Sequence, residues 1–421
     1  MSRRLLLLAS KTSYRIEDFL AAAAELGVEV LVGSDQCRKV AEIWKGDNLA
    51  LDFFRPEEAA EEVVRAADTR PIDGIVPVGE PQAVVAALAA RRLGIPFNPP
   101  EAALAARDKA RMREALARAD VPQPSFRVFP IDVKAPDVLA LVHPPVVVKP
   151  LLLSGSRGVI RADDGPALDA AIQRLAALLT SRELFKHRER EARLLLAESF
   201  VPGDEVAVEG LVVDGRLEVL AIFDKPDPLE GPYFEETIYV TPSRKPSGVR
   251  DAIARTTARA VAALGAVGGP VHAELRLAAS GPVVIEVALR TIGGLCSRAL
   301  RFETGASLEE LVIRHAVGLP WERPAHERRA SGVMMIPIPR AGTLKAARGV
   351  EAARGVEGIE DVVIAIDPGR VLVPLPEGNE YLGFIFARGS EPSQVEAALR
   401  AAHRELSFEI APVVGRGGGR T

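Results

Sequence analysis

The sequence contains few cysteines and no long apolar run. Only Cys37 and Cys296 occur among its 421 residues, and their separation does not fit a metal or redox motif. A reducing compartment is therefore the simplest inference. No stretch reaches the roughly 18 apolar residues of a membrane span. The run from Leu5 to Ala9 is shorter than the roughly seven to fifteen residues of a signal-peptide core, and it is interpreted as a buried first strand. These absences predict a cytoplasmic protein.

A strong charge of either sign is also absent. The formal net charge is -4, with 26% charged and 48% hydrophobic residues. This balance is typical of a soluble globular protein and favours neither nucleic acid nor an anionic membrane as a partner. A chain of 421 residues is too long for one ordinary hydrophobic core, which predicts two or three domains.

The first hundred residues lack the G-x-G-x-x-G pattern of dinucleotide-binding domains. They instead alternate the short apolar strands "LLLLAS", "VEVLVGS" and "GIVPVGE" with helical patterns. The helices are predicted over about Arg15 to Leu26, about Pro56 to Ala67 and about Pro81 to Leu93. Strands that alternate with helices of this length predict a parallel, doubly wound α/β domain.

The rest of the chain has a more mixed pattern. A proline-bounded helical stretch comes first, and then the Asp214-Gly215 pair predicts a β-hairpin. A helix is predicted over about Val249 to Leu264, before the strands "VHAELRL" and "PVVIEVAL". From about Arg323 the sequence predicts three or four strands, a helix near Ser393 to Glu405 and a tail rich in glycine and arginine.

The strands "VHAELRL" and "PVVIEVAL" are expected to pair, and each carries a glutamate. Glu274 and Glu286 would repel each other across the ladder without a cation or a basic partner. Mg²⁺ in phosphate chemistry typically takes one or two carboxylates, whereas two solvated strand residues are the alternative. Arg290 and the Gly293-Gly294 pair follow Glu286, and a strand-end ion pair with a turn is their plainest interpretation.

Lysine and small residues suggest a phosphate site. Lys149 ends a run of three valines, so its amine emerges at the end of a buried strand. The backbone N–H groups of Ser154, Gly155 and Ser156 in the next loop suit a phosphate. The loop is not a Walker A motif, because the G-K-[ST] order is absent. Lys109, taken alone, is interpreted as a solvated helix charge.

The segment "AESFVPGDE" contains a strand that breaks at Pro202-Gly203. The break is expected to leave the backbone groups of residues 199–201 free, as a hinge that recognises a purine edge requires. Glu198 and Glu205 bracket this break, and Glu205 is placed to accept the ribose hydroxyls. An ordinary strand-turn-strand is the alternative.

In this order the features resemble the ATP-grasp superfamily, over about residues 100 to 320. The segments "SKTSYR" and "LGIPFNPPEAALAARDK", with the closing β-rich part, extend the resemblance to carboxylate-amine ligases of the L-amino-acid ligase type. The motifs that carry it are "DK" (Lys109), "VVVKP" (Lys149), "ESFVPGDE" (Glu198, Glu205), "AEL" (Glu274) and "IEVALR" (Glu286, Arg290).

The resemblance implies a mixed α/β and α+β protein. A doubly wound parallel α/β domain at 1–105 would precede a two-subdomain ATP-grasp fold at 106–320 and a β-rich C-terminal α+β subdomain at 321–413. The ATP-grasp fold would divide into a central or lid subdomain at 106–197 and a nucleotide and metal subdomain at 198–320. Residues 414–421 would form a flexible tail.

The resemblance also implies an ATP site with a metal. Lys109 and Lys149 would neutralise the α- and β-phosphates, Glu198 would accept the adenine amino group, and the loop of residues 154–158 would close as a lid. Mg²⁺, or Mn²⁺ as the alternative, would be held by two carboxylates. The implied ATP ligands are Lys109, Lys149, Ser154, Gly155, Ser156, Gly158, Glu198, Ser199, Phe200, Val201 and Glu205, and the metal ligands are Glu274 and Glu286.

For catalysis, the resemblance implies that Arg290 steadies the transferring phosphoryl group or the acyl-phosphate. Gly293 and Gly294 would donate backbone N–H groups to the oxyanion of a tetrahedral intermediate. The superfamily usually reads Glu-x-Asn-x-Arg here, but this chain has Ala288 in place of the asparagine. That departure implies either fewer protein ligands for a second metal or reduced activity.

The loop "PYFEETIYVTPS" resembles the segment over the acceptor pocket of the amino-acid ligases. Glu236 would then pair with a substrate ammonium and Tyr239 would line the side-chain pocket, whereas a charged hairpin edge is the alternative. His272 faces the same side of its strand as Glu274, by the period of two. It is a candidate substrate residue, with a structural histidine as the alternative.

The expected function is that of an ATP-dependent carboxylate-amine ligase, which forms a dipeptide-like amide through an acyl-phosphate and releases ADP and phosphate. Its expected partners are small carboxylates and amines, foremost amino acids, with no nucleic acid or membrane. The oligomeric state is open, with a homodimer as one outcome. The alternatives are a bicarbonate- or formate-activating carboxylase or ligase, and an ATP-binding module without turnover.

Overall fold

The computed structural model describes residues 3–36, 47–181, 184, 191–320, 322–325, 327 and 329–412. Cys37 and the expected tail at 414–421 lie outside the described residues. Within them, no helix is both long and apolar enough to cross a membrane.

The strands are β1 (Arg4–Ala9), β2 (Glu29–Ser34), β3 (Asn48–Ala50), β4 (Gly74–Pro77), β5 (Phe126–Pro130), β6 (Val146–Pro150), β7 (Ile160–Ala162), β8 (Leu194–Ser199), β9 (Glu205–Val213), β10 (Arg216–Asp224), β11 (Ile238–Thr241), β12 (Gly269–Ala278), β13 (Gly281–Ala288), β14 (Ala330–Ile336), β15 (Gly342–Arg348), β16 (Ile359–Ile364), β17 (Val371–Leu372), β18 (Gly383–Gly389) and β19 (Ser407–Ala411). The helices are α1 (Ile16–Glu25), α2 (Pro56–Thr69), α3 (Glu80–Leu93), α4 (Pro100–Arg107), α5 (Lys109–Arg118), α6 (Ala135–Leu139), α7 (Gly165–Leu179), α8 (Ser247–Ala263), α9 (Leu308–Ala316), α10 (Val350–Arg354) and α11 (Pro392–Glu405).

The N-terminal sheet has four strands in the order β3-β2-β1-β4, and all its pairs are parallel. Leu5 and Leu7 of β1 pack in the core that includes α1, whereas Leu6 and Leu8 pack on the opposite side with α2 and α3. Because both faces are buried, β1 reads as a continuous apolar run instead of an alternating one. The predicted parallel, doubly wound arrangement is confirmed.

A second sheet is antiparallel, with the order β5-β8-β6-β7. Leu168, Ile172 and Leu175 of α7 recur at helical spacing and pack with the valines of β6 in one core. Lys149 is the fourth residue of β6, so the small-residue loop that follows it connects β6 to β7.

The largest sheet has eight strands in the order β13-β12-β9-β10-β11-β14-β18-β16. The hairpin predicted at Asp214-Gly215 joins β9 to β10, with φ of 49° and 76° at the two turn residues. Strands β14, β18 and β16 continue this sheet past residue 320. The expected division at 320 therefore does not coincide with a sheet boundary, and the domain limits stay predictions.

The count of three or four C-terminal strands was too low. The described residues contain six strands there, β14 to β19, and β17, β15 and β19 form a separate small sheet. Strand β17 has only two residues, Val371 and Leu372, and Val371 is exposed. Such a short strand carries too little apolar alternation to be recognised in a sequence.

The proline-bounded helical stretch is divided into two helices at Asp108. This residue has an extended backbone, with φ -97° and ψ 111°, and its side chain accepts from the N–H of Ala110 over 2.9 Å. It is therefore the N-cap of α5. The break makes Lys109 the first residue of α5. Its side chain therefore points in a different direction than it would inside one continuous helix.

Candidate active site

A cavity of about 580 Å³ is lined by residues of the N-terminal sheet, the β5-β8-β6-β7 sheet and the eight-stranded sheet. It brings together every residue predicted for the site except Gly158. The predicted residues that line it are Lys109, Lys149, Ser154, Gly155, Ser156, Glu198, Ser199, Phe200, Val201, Glu205, Glu236, Tyr239, His272, Glu274, Glu286, Arg290, Gly293 and Gly294. Their individual roles stay predictions.

The N-terminal sheet contributes side chains that the sequence did not single out. The loops after β1 and β4 lie at the carboxyl ends of neighbouring parallel strands and bring Tyr14 and Glu80 to the cavity. The buried Glu80 accepts a hydrogen bond from Arg290 Nη2 over 3.0 Å. The interpretation of Glu286 and Arg290 as a strand-end ion pair is wrong, because Glu80 is the ionic partner of Arg290.

Lys109 is buried and faces the cavity. Its Nζ donates to the carbonyl of Leu153 over 2.8 Å and to Glu286 Oε1 over 3.1 Å. Burial would lower the pKa of Lys109, but Glu286 and Glu80 raise it above its ordinary value. The amine therefore stays charged, and its interpretation as a solvated helix charge is wrong.

Lys149 and Glu198 form a buried ion pair. Lys149 Nζ lies 2.5 Å from Glu198 Oε2, and Arg113 Nε donates to Glu198 Oε1 over 2.5 Å. Burial would raise the pKa of Glu198, but Arg113 and Lys149 hold it below its ordinary value. Both oxygens already accept from cations, so the predicted contact with the adenine amino group would have to compete with them. The sequence signal for Arg113 was its position four residues after Lys109 on one helix face.

The hinge backbone is less free than predicted. The N–H of Ser199 donates to the carbonyl of Ser125 over 2.9 Å, and the N–H of Phe200 donates to the carbonyl of Pro145 over 2.8 Å. The prediction of free donors at these two residues is wrong, and so is that of a free carbonyl at Val201, which accepts from Arg276 Nη1 over 2.9 Å. Among the described residues no acceptor faces the N–H of Val201, so this group is the backbone donor left for a ligand at the break.

The loop of residues 154–158 contacts the C-terminal part of the chain. The N–H of Gly158 donates to the carbonyl of Pro376 over 2.8 Å, and Arg157 Nε donates to the carbonyl of Glu377 over 2.6 Å. Gly158, a predicted ATP ligand, does not line the cavity and its N–H is already bonded, so its role in the lid stays a prediction. The loop residues that do line the cavity are Ser154, Gly155 and Ser156.

Lys225 was missed in the sequence, although it lies among three carboxylates. Its Nζ is 2.7 Å from Glu205 Oε1 and 3.2 Å from Glu274 Oε1, and it contacts Glu236 Oε1 directly. Burial would lower the pKa of Lys225, but these carboxylates raise it well above its ordinary value. The available signal was "IFDKP", a lysine and proline at the end of a buried strand, as in the "VVVKP" of Lys149.

His272 connects two glutamates and faces the same side as Glu274, as predicted. Its Nδ1 lies 3.0 Å from Glu209 Oε2, and its Nε2 lies 3.5 Å from Glu274 Oε1. Burial would lower the pKa of His272, but Glu209 and Glu274 raise it to about 9. Glu209 also accepts from the N–H of Ile292 over 3.0 Å, which connects this strand to the loop before the two glycines.

One part of the cavity is aromatic. The rings of Tyr14 and Phe384 meet edge to face at 5.9 Å, and the hydroxyl of Tyr239 donates to Glu236 Oε1 over 2.8 Å. Burial and a neighbouring carboxylate raise the pKa of Glu236 to about 7. Gly294 lies against the same wall, because an added Cβ would be 2.8 Å from the ring of Phe384. The hydrogen bond between Tyr239 and Glu236 makes these two predicted substrate residues neighbours in the cavity.

Glu274 and Glu286 are register partners on β12 and β13, and both line the cavity. Carboxylate oxygens are the ligands that Mg²⁺ prefers, so this donor pair fits a hard cation. Ala288 is the register partner of His272, and alanine supplies no oxygen at the position of the usual asparagine. The two glutamates therefore form the oxygen donor set that the strand pair offers.

Three family models match successive parts of the chain. The model of the ATP-grasp N-terminal domain matches residues 20–97, that of the ATP-grasp domain matches residues 142–299, and that of the L-amino acid ligase C-terminal domain 2 matches residues 334–411. The chain belongs to the ATP-grasp superfamily. This confirms the resemblance that the motifs carried, including its extension to the L-amino-acid ligase type over the closing part of the chain.

Individual ATP-grasp proteins extend this comparison. The solved L-amino acid ligase from Bacillus licheniformis is 26% identical, with a TM-score of 0.81 over 97% of this chain and 99% of that chain. Alanine–anticapsin ligase from Bacillus amyloliquefaciens is 30% identical over 275 residues, which are 61% of this chain and 57% of that protein. The chain spans less than two thirds of the length of the curated relatives it matches. The fold is also shared with carboxyaminoimidazole ribonucleotide synthase from Aspergillus clavatus, solved with ATP, which is 15% identical with a TM-score of 0.72 over 96% of this chain and 98% of that chain.

Proposed function

We propose that this protein is an ATP-dependent carboxylate-amine ligase, which forms a dipeptide-like amide through an acyl-phosphate and releases ADP and phosphate. The observation that carries the proposal is one cavity with two kinds of group. Lys109, Lys149 and Arg290 supply cations for phosphates, whereas Glu236 and Tyr239 supply a carboxylate in an aromatic setting. A module that only binds ATP needs the first kind alone.

In the first step, a substrate carboxylate oxygen attacks the γ-phosphorus of ATP. The new oxygen–phosphorus bond forms as the bond to the β-phosphate oxygen breaks, which gives an acyl-phosphate and ADP. The protein's part is positioning and charge neutralisation. Arg290 suits the moving phosphoryl group, because Glu80 fixes one edge of its guanidinium and the side chain is 15% exposed.

In the second step, a substrate amine attacks the acyl carbon. The tetrahedral intermediate carries a negatively charged oxygen. The intermediate then collapses with loss of phosphate, and the attacking nitrogen loses a proton. The backbone N–H groups of Gly293 and Gly294 would stabilise that oxygen. An added Cβ on Gly293 would meet no atom within 4 Å, so the cavity leaves room for a substrate to approach this backbone.

Glu274 and Glu286 are the residues that would hold a divalent metal ion. When bound, Mg²⁺ or Mn²⁺ supplies positive charge to the phosphate oxygens. Lys109 contributes charge to the same place, because its Nζ lies 3.1 Å from Glu286 Oε1. The amine and this carboxylate hold each other in position before ATP arrives.

Amino acids are the proposed substrates. Glu236 offers an acceptor for a substrate ammonium, and the nearby aromatic rings of Tyr14, Tyr239 and Phe384 suit an apolar side chain. The similarity to an L-amino acid ligase over nearly the whole chain supports this choice. The fold shared with a carboxyaminoimidazole ribonucleotide synthase keeps small-anion activation as the second candidate.

The experiment is ADP release by the full chain with Mg²⁺-ATP and pooled amino acids, followed by mass spectrometry of the products. We expect release that depends on amino acids, together with a mass equal to two amino acids less one water. Release that depends on bicarbonate or formate alone would favour the second candidate. Binding of ATP without release under any condition would favour a module without turnover.

A further inference from the structure

The ammonium of Lys225 fills the space between three carboxylates of the cavity. Its Nζ contacts Glu205, Glu236 and Glu274, and its side chain is only 3% exposed. The ring of Tyr239 covers it, with Nζ 5.0 Å from the ring centroid. Lys225 is therefore enclosed, and it is not a flexible surface amine.

Without this ammonium the three glutamates would form a cation site. One oxygen from each lies within 4.8 Å of the others, and three clustered carboxylates either attract a hard divalent ion or become partly protonated. Arg276 Nε donates to the second oxygen of Glu205 over 2.9 Å, which fixes that carboxylate from the other side.

Lys225 and His272 approach the same oxygen of Glu274. Lys225 Nζ is 3.2 Å and His272 Nε2 is 3.5 Å from Oε1. Glu286, the register partner of Glu274, contacts a different lysine, Lys109. Glu274 therefore borders the space that Lys225 fills, whereas Glu286 borders the part of the cavity that contains Lys109.

We propose that Lys225 is a positioning residue, a built-in cation that holds the three carboxylates together and excludes a divalent ion from the space between them. The metal is thereby restricted to the Glu274 and Glu286 pair, and Glu236 offers a substrate ammonium the oxygen that Lys225 and Tyr239 do not contact. The proposal rests on the proposed ligase function for these consequences. The exclusion of the ion itself is testable without any turnover.

The test measures Mn²⁺ binding to the full chain without nucleotide. The electron paramagnetic resonance signal of free Mn²⁺ reports how much of the ion remains unbound. Lys225→Met is unbranched and only one heavy atom shorter than lysine, and it removes the charge. We expect it to gain one Mn²⁺ site per chain, at least about tenfold tighter than any site of the wild type. Lys225→Arg keeps a cation in the space and should bind Mn²⁺ like the wild type.

Two further variants assign the site. Lys225→Met combined with Glu236→Gln removes one of the three carboxylate ligands, so the gained Mn²⁺ site should lose most of its added affinity. Lys245→Met is the matched control, because Lys245 pairs with Asp204 outside the cavity and its loss should change no Mn²⁺ binding.

Failure of folding is also informative. If Lys225→Met unfolds in chelator, Mn²⁺ should raise its thermal midpoint more than that of the wild type, because the ion replaces the missing charge. A variant that binds no additional Mn²⁺, or one that unfolds and is not restored by Mn²⁺, overturns the proposal. Failure of the proposed ligase function is a separate result, seen as no ADP release by the wild type.

Discussion

Arg290 Nη2 and Glu80 Oε1 lie 3.0 Å apart, although 210 positions separate the two residues in the sequence. The pair joins the N-terminal end of α3 to the loop after β13, and both side chains are largely buried. Because Glu80 accepts from one edge of the guanidinium, Arg290 is held in one orientation at the cavity. Its planar fork, and not only its charge, is therefore expected to matter.

Glu286 and Arg290 should fail differently when they are substituted. Glu286→Gln keeps the shape but removes the charge that a hard cation requires, so excess Mg²⁺ should restore part of the lost activity. Arg290→Lys loses the bidentate fork, so turnover should fall with little change in Mg²⁺ dependence. ADP release against Mg²⁺ concentration measures both. Wild-type-like curves for both variants would exclude these roles.

Lys149→Met should weaken ADP binding. The variant removes a buried charge that faces the cavity, and a hydrogen bond to a charged group contributes about 1.5–3 kcal/mol. It also leaves Arg113 as the remaining cation on Glu198. Calorimetric titration with ADP measures the loss, with Lys245→Met as a control outside the cavity. An ADP dissociation constant equal to that of the wild type would mean that Lys149 serves only Glu198.

The protein should bind ATP in preference to GTP. The N–H of Val201 is the donor left at the hinge, and N1 of adenine accepts a hydrogen bond whereas N1 of guanine carries a hydrogen. A base that presents a donor to this N–H leaves both groups unsatisfied. Thermal unfolding with equal concentrations of the two nucleotides measures the difference. Equal protection by ATP and GTP would contradict the hinge assignment.

The two adjacent glycines should respond differently to alanine. Gly294 has φ of +59°, where a side chain costs about 1–2 kcal/mol, and its added Cβ would lie 2.8 Å from the ring of Phe384. Gly294→Ala should therefore lower the thermal midpoint. Gly293→Ala meets no atom within 4 Å, so it should fold normally but lower turnover by narrowing the approach to the backbone. Equal loss of stability in both variants would argue against this distinction.

His315 should make stability depend on pH. Its Nε2 accepts from the N–H of Gly269 over 3.1 Å, and burial lowers the pKa of His315 below its ordinary value. The folded state thus prefers the neutral ring, so its contribution is present above the unfolded pKa of about 6.5 and is lost as the pH falls below it. Denaturant unfolding between about pH 7 and about pH 5 should show a steeper loss in the wild type than in His315→Gln, which keeps an acceptor without titrating. Parallel curves would exclude this contribution.

Much of the fold follows from local patterns. The parallel N-terminal strands, the hairpin at Asp214-Gly215 and the pairing of Glu274 with Glu286 were all predictable, because strand period and turn residues act over a few positions. The short β17 and the continuation of the eight-stranded sheet past residue 320 were not, since they depend on pairing between distant segments.

The sequence by itself determined which charged residues are present and in what order, and that order was enough to indicate the ATP-grasp superfamily. Only the tertiary structure decided which charges meet. Arg290 pairs with Glu80 across 210 positions and Lys109 pairs with Glu286 across 177, while Lys225 meets three carboxylates that come from separate segments of the chain. The physical reason is that ionic partners are selected by burial and by distance in space, and neither quantity is encoded in sequence spacing.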